Sequence, residues 1–220
     1  MNKNTFNKMK KMMKDEVNMN GREDFINSSV IVPLIFINDE YHFLFEKRNI
    51  NISQGGEICF PGGRLDEYID IDSKATAIRE IEEELGITRD NIEIVGRIDT
   101  VFSPVGVIVD GYLAVLKLKS IENLNINKDE VEYTFLVPVS WFEQNKPSQY
   151  CVCIKAHPSI INEVGKEEVL LPSRKLNLPQ VYSKPWGKGR YKIYLYNYNN
   201  EVIWGITARF IMDVISRIKD

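Results

Sequence analysis

The sequence predicts an α/β fold, a mixed sheet flanked by helices. Three observations carry that expectation: apolar, β-rich runs lie on both sides of one central helical segment, that segment has apolar residues at helical spacing, and a second helix closes the chain. Val30–Phe36 and Tyr41–Arg48 are the first strands, split by Asn38-Asp39, which reads as a hairpin turn. Gly56–Phe60 leads into the tight turn Pro61-Gly62-Gly63. A helix follows over about 73–85, where Ser73 or Asp72 can cap the start and Gly86 can supply the left-handed residue that ends it. Ile78, Ile81 and Leu85 form its apolar stripe.

Ile92–Asp99, Gly106–Lys117 and Glu132–Val137 are strand-like, and Val139–Gln144 begins a short helix. Pro147, Pro158, Pro172, Pro179 and Pro185 make about 145–190 a loop-rich section with short elements. Lys192–Tyr198 alternates as a strand whose Tyr194, Tyr196 and Tyr198 share a face expected to pack in the core. Ile206–Ile218 is the closing helix, with Trp204 expected to anchor it.

A chain of 220 residues with 44% apolar and 27% charged content fits one globular domain with elaborations. A formal charge of −3 argues against a nucleic-acid partner, which calls for a basic surface. The three cysteines form neither a disulfide framework nor a metal quartet; Cys151 and Cys153 are expected to pack as small hydrophobes on one strand face. No run approaches the roughly 20 apolar residues of a membrane span, so no membrane partner and a cytoplasmic, reducing location are expected. Residues 1–27 read as an N-terminal basic arm, with Lys3, Lys8, Lys10, Lys11 and Lys14 and no acid in the first fourteen positions. No apolar stretch follows that would make it a signal peptide. His157 reads as a solvated loop residue, and a homodimer is the assembly allowed for, as the commonest homo-oligomer.

The chemistry concentrates in residues 60–87. Glu80, Glu83 and Glu84 lie at i, i+3 and i+4 and share one helix face, where like charges repel by a few tenths of a kcal/mol per pair. Charged helix faces are common, and a glutamate triplet alone reads as a solvated surface. Two neighbours alter that reading. Arg79 sits four residues before Glu83 and can orient a carboxylate, and the glycine turn can approach a ligand with its backbone or offer a carbonyl to a metal. A hard divalent cation, Mg²⁺ or Mn²⁺, is the natural occupant of such an oxygen cluster.

Arg79-Glu80-Ile81-Glu82-Glu83-Glu84-Leu85-Gly86-Ile87 resembles the second half of the Nudix box, Arg-Glu-apolar-x-Glu-Glu-x-Gly-apolar, with every required position filled. The first half departs from the pattern. Gly63 stands sixteen residues before Arg79, two more than usual, and Ile71 occupies the place of the loop glutamate, with Asp70 and Asp72 beside it as candidate substitutes. Outside the box, Glu57-Ile58-Cys59-Phe60-Pro61-Gly62-Gly63 with Asp66 is similar to the segment of the coenzyme A pyrophosphatase branch. Lys47-Arg48, Glu130-Val131, Val137-Pro138-Val139 and Ile203–Arg209 resemble further parts of it, whereas Ile50–Gln54 departs from the branch signature.

The resemblance implies a Nudix-type α/β/α sandwich with a mixed sheet, over a hydrolase domain at 28–220. It implies Mg²⁺- or Mn²⁺-dependent cleavage of a nucleoside diphosphate linked to another group, with Glu80, Glu83, Glu84 and a glycine-turn carbonyl, Gly63 or Gly62, as metal ligands. Glu83 or a late-loop acid, Glu130 or Glu132, would act as base, and Arg79 would orient the carboxylates. Arg48 and Glu57 would meet substrate, Arg48 through a bidentate fork on phosphate. With coenzyme A as substrate the products are 4′-phosphopantetheine and adenosine 3′,5′-bisphosphate. ADP-ribose, a dinucleotide or a nucleoside triphosphate is the alternative substrate, and a non-catalytic nucleotide-sensing module the alternative class.

Overall fold

A computed structural model of the chain describes residues 2–12, 19–122 and 124–219. Residues 1 and 13–18 of the expected arm lie outside the described residues; within the arm, α1 (Lys3–Met12) is exposed over residues 3–11. Asn38 and Asp39 turn the first hairpin in the left-handed conformation, with φ of 54° and 61°, which matches the twist of the strands they join. These strands are β1 (Ile26–Ile37) and β2 (Glu40–Arg48). They pair only near the turn, Leu34–Ile37 against Glu40–Phe43, and then diverge. The fork between them is filled by β3 (Ile58–Cys59), paired with Glu46 and Lys47, and β4 (Gly62–Arg64), paired with Ser28–Val30.

After α2 (Ser73–Leu85) come β5 (Ile92–Ser103), β6 (Val107–Leu116) and β7 (Val131–Pro138). β6 runs parallel to β1 and every other pairing in this sheet is antiparallel, so the sheet is mixed. Its order is β3-β2-β1-β6-β5, with β4 attached to β1 and β7 to β2. Side chains alternate across each strand. Leu44, Ile31 and Ile35 therefore meet Ala77, Ile81 and Leu85 of α2 on one face. Phe43 and Phe45 meet Phe142 of α3 (Val139–Gln144) and Phe210 and Ile211 of α4 (Gly205–Lys219) on the other. The result is the expected α/β/α sandwich. Ile81 and Leu85 expose no surface, and burying each contributes about 1.5–3 kcal/mol.

Asp72, not Ser73, caps α2: its carboxylate accepts the Ala75 N–H at 2.8 Å. The Ser73 hydroxyl pairs instead with the Tyr112 hydroxyl at 2.8 Å. Gly86 ends the helix at φ 66°, its N–H donating to the Glu82 carbonyl.

The later chain departs from expectation in four places. The proline-bearing stretch holds a nine-residue strand, β8 (Ser148–Ala156), besides the short β9 (Ser159–Ile161) and β10 (Glu167–Val169). Pro147 and Pro158 bracket β8 and do not interrupt it. β11 (Trp186–Tyr198) begins well before Lys192 and lies between β8 and β12 (Glu201–Trp204) in a second sheet. Cys151 and Cys153 share β8 but are exposed, because β8 is an edge strand with nothing packed over that face among the described residues.

Trp204 is 39% exposed, and its neighbour Ile203, fully buried, is the anchor. Tyr196 is buried edge-on to Phe142 at 5.0 Å, with Tyr194 and Tyr198 partly buried against the same core. His157 is exposed. Among the described residues no helix is long and apolar enough to cross a membrane.

Asp72→Ala removes the N-cap acceptor of α2. It is expected to lower the unfolding free energy by about 1 kcal/mol in urea titrations.

Candidate active site

The three helix carboxylates differ in depth. Glu84 is 2% exposed, whereas the side chains of Glu80 and Glu83 are 14% and 55% exposed. Their line along α2 runs from the floor of the site to solvent. Glu84 Oε2 accepts the Gly62 N–H at 2.9 Å, which ties the helix to the glycine turn. Glu82 belongs elsewhere: its carboxylate accepts the Arg89 N–H at 2.9 Å just past the helix end.

The turn is held from both sides. Phe60 stacks on Phe45 with ring centroids 4.9 Å apart, and the Pro61 carbonyl accepts the Ile31 N–H at 3.0 Å. A Cβ on Gly62 would overlap the Ser29 carbonyl, and one on Gly63 would overlap the Glu80 carboxylate. Only glycine lets the backbone come this close to sheet and helix at once.

Arg79 is ion-paired with three carboxylates. Its guanidinium reaches Glu80 Oε1 at 2.8 Å and Glu83 Oε2 at 3.0 Å. On its other side Nε and Nη2 grip Asp70 at 3.1 and 3.0 Å. Asp70 also accepts the Thr76 hydroxyl at 3.0 Å and the Asp66 N–H at 3.1 Å. Of the two acids flanking the lengthened loop, Asp70 is thus the one that meets the box arginine. Arg79 holds the Asp70 carboxyl down at about 2.

The sheet brings a residue that the sequence reading passed over. Alternation along β2 puts Leu44, Glu46 and Arg48 on the α2 face. Glu46 is 1% exposed, and its Oε1 accepts the Cys59 thiol at 3.2 Å. A lone acid after Phe43-Leu44-Phe45 was the available signal. Arg48 lies on the same side; its Nε donates to the Ser53 carbonyl at 3.1 Å, and its charge acts on Glu46, Glu84 and Glu57. Glu57 is half-buried beside it, its backbone carbonyl accepting the Arg48 N–H at 2.9 Å.

Glu130 comes from the loop that docks on the end of α2. The Asn127 N–H donates to the Glu84 carbonyl at 2.8 Å, and Asn127 Nδ2 donates to Glu130 Oε1 at 3.3 Å. The Glu130 charge acts on both Glu46 and Glu80.

Burial, then the nearby Glu46 charge, pushes the Glu84 carboxyl well above the usual range. Burial likewise raises Glu46 and Glu80. Among the described residues no three Asp, Glu, His or Cys side chains are gathered at metal-binding distance, since Glu80 and Glu83 lean on Arg79 and Glu84 leans on Gly62. The donor set still suits a hard divalent cation: an all-oxygen cluster in which carboxylates outnumber the two arginines, Arg48 and Arg79, and in which one buried carboxylate oxygen, Glu46 Oε2, has no hydrogen-bond partner. Beside Glu80 and Arg79 opens a cleft of about 680 Å³, lined also by Arg64, Asp66, Tyr68 and Ile69. Arg64 and Tyr68 carried no signal in the sequence that set them apart from other loop residues.

Residues 28–151, more than half of the chain, match the NUDIX domain family. Nudix hydrolase 3 of Caenorhabditis elegans is 35% identical over 118 residues, covering 50% of this chain and 47% of that protein. Peroxisomal coenzyme A diphosphatase NUDT7 of Mus musculus is 33% identical over 119 residues, 52% of this chain and 48% of that one. The chain thus spans about half the length of these two relatives. An uncharacterized Nudix hydrolase, NudL, of Photorhabdus laumondii is 25% identical over 194 residues, 88% of this chain and 85% of that one. Among solved structures, a C. elegans Ap4A hydrolase binary complex aligns with a TM-score of 0.43 at 20% identity, covering 51% of this chain and 80% of that one.

Two outcomes are expected of the site. Glu46 and Glu84 keep their protons to higher pH when folded than when unfolded, so the stability they contribute is fully present below the ordinary carboxylate range and is lost as pH rises through neutral and into the mildly alkaline range. Thermal unfolding in a chelator is therefore expected to shift to lower temperature between about pH 5 and about pH 8.5, with Mg²⁺ restoring it at the upper end. Gly63→Ala is expected to push Glu80 from its place and weaken Mn²⁺ binding by about 10-fold or more, measured by titration calorimetry.

Proposed function

Because the chain belongs to the Nudix family, we propose that it is a metal-dependent pyrophosphohydrolase cleaving a nucleoside diphosphate joined to another group, with coenzyme A or a derivative as substrate. The observation that carries this reading is the carboxylate cluster of Glu46, Glu80 and Glu84, packed against the glycine turn and facing Arg48 and Glu130. Glu80, Glu83, Glu84 and Gly63 are the groups that would hold Mg²⁺ or Mn²⁺. Such a cation neutralises the diphosphate and lowers the pKa of a bound water.

The chain's own groups do the rest. Arg79 is a positioning residue: its bidentate hold on Asp70 fixes the guanidinium that steers Glu80 and Glu83. Arg48 forks onto a phosphate of the substrate, and Glu57 beside it orients that arginine. Glu130, steadied by Asn127, takes the proton of the attacking water. As the water oxygen bonds to one phosphorus, the bridging P–O bond breaks and the other phosphate leaves with the bridging oxygen. Glu83, the most exposed of the three helix acids, is the second candidate for that base.

The choice of coenzyme A rests on the segment Glu57–Gly63 with Asp66, and on relatives named coenzyme A diphosphatases. These include NUDT7 of mouse and mitochondrial NUDT8 of Homo sapiens, the latter 29% identical over 126 residues. In this reading residues 28–220 form the hydrolase domain, 145–190 elaborate it and 1–27 are a basic arm; a reducing, cytoplasmic location accords with the free cysteines.

A chromatographic assay with Mg²⁺ and Mn²⁺ against coenzyme A, ADP-ribose, diadenosine polyphosphates and nucleoside triphosphates tests the proposal. Coenzyme A is expected to give 4′-phosphopantetheine and adenosine 3′,5′-bisphosphate. Glu80→Gln is expected to lower the rate about 100-fold or more with the circular dichroism unchanged. Faster cleavage of another compound would keep the chemistry and replace the substrate. Nucleotide binding without turnover of any of them would replace the enzyme with a sensing module.

A further inference from the structure

Among the described residues, Glu46 Oε2 is the one buried side-chain oxygen or nitrogen with no hydrogen-bond partner. The residue is 1% exposed and sits in the middle of β2, between the wholly buried Phe45 and the half-buried Lys47. Its Oε1 is fixed by the Cys59 thiol across the β2–β3 pairing, at 3.2 Å. A buried carboxylate oxygen without a partner is costly, and an apolar side chain at this position would avoid the cost.

The surroundings show what would compensate it. Strand alternation sets Glu46 on the α2 face, and Glu46 is the main charge acting on Glu84. Glu80 and Glu130 also act on Glu46, and Arg48 is the positive charge that reaches it. Arg48 near Glu46 and Arg79 on Glu80 are two arginines among four carboxylates, Glu46, Glu80, Glu84 and Glu130, so negative charge is in excess there and a hard cation would offset it.

We propose that Glu46 Oε2 is a direct ligand of the divalent cation held by Glu80 and Glu84, so that the cation site is built from the sheet as well as from the helix. This rests on the metal-dependent reading given above. Glu84 and Glu46 would then supply the buried ligands of the site and Glu80 the more accessible one. Cys59 serves as the donor that fixes the Glu46 rotamer and leaves Oε2 for the metal.

The test is Mn²⁺ binding by the full chain, read by titration calorimetry and by the number of exchangeable waters on bound Mn²⁺ from water-proton relaxation. Glu46→Gln is expected to weaken Mn²⁺ by about 10-fold or more and to add one water to the bound ion, with the fold kept in chelator. Wild-type affinity in Glu46→Gln, with affinity lost in Glu84→Gln, would overturn the ligand assignment alone. Weaker binding with no added water would also overturn it and make Glu46 a positioning residue for Glu84. Unchanged binding in both variants would instead overturn the metal reading of the helix. Should Glu46→Gln fail to fold, Glu46→Asp, which keeps the charge at a shorter reach, takes the same two readouts and is expected to shift both in the same direction.

Discussion

Glu46 on β2 and Glu84 on α2 face each other across the interface of sheet and helix, 1% and 2% exposed. When both are ionised, their mutual repulsion is weakly screened because water is excluded. The chain opposes it with one backbone N–H from Gly62, one thiol from Cys59 and the charge of Arg48. Arg79 is committed to Asp70, Glu80 and Glu83. A protein selected for stability alone would place apolar side chains here. Retaining the pair makes sense where positive charge from outside the chain completes the site.

The fold places these groups through the fork between β1 and β2. Because the two strands part beyond the Leu34–Phe43 pair, away from the turn, β3 and β4 fit between them and carry Cys59 to Glu46 and Gly62 to Glu84. Phe60, stacked on Phe45 in the core beneath α3 and α4, fixes the height of the turn from the opposite side of the sheet. The α2 face of the sheet therefore receives its chemistry from elements whose positions are set by aromatic packing on the other face. Side chains alternate across each strand, so a single strand serves both layers.

Local rules made much of this legible. The helix over 73–85, its end at Gly86 and the shared face of Glu80, Glu83 and Glu84 follow from spacing alone, since 3.6-residue periodicity needs no knowledge of neighbours. The hairpin at Asn38-Asp39 is equally local. What escaped depends on the path of the chain in space. The lengthened loop was visible, but its turn from Asp66 to Asp70 decides that Asp70 meets Arg79 while Asp72 caps the helix. Glu46 was passed over because an acid in a strand is ambiguous until the covering layer is known. In the later chain, prolines that bound β8 look the same in sequence as prolines that break a strand, and the exposure of Cys151, Cys153 and Trp204 depends on how few layers cover the second sheet.

The most direct test of the central claim, that a divalent cation completes the buried carboxylate cluster, is a crystal structure of the chain soaked in Mn²⁺, with anomalous differences collected near the manganese edge. The account predicts an anomalous peak within about 2.4 Å of carboxylate oxygens from both Glu80 and Glu84. Ordered crystals at high Mn²⁺ with no peak between α2 and the glycine turn, or with manganese only on surface carboxylates, would contradict it.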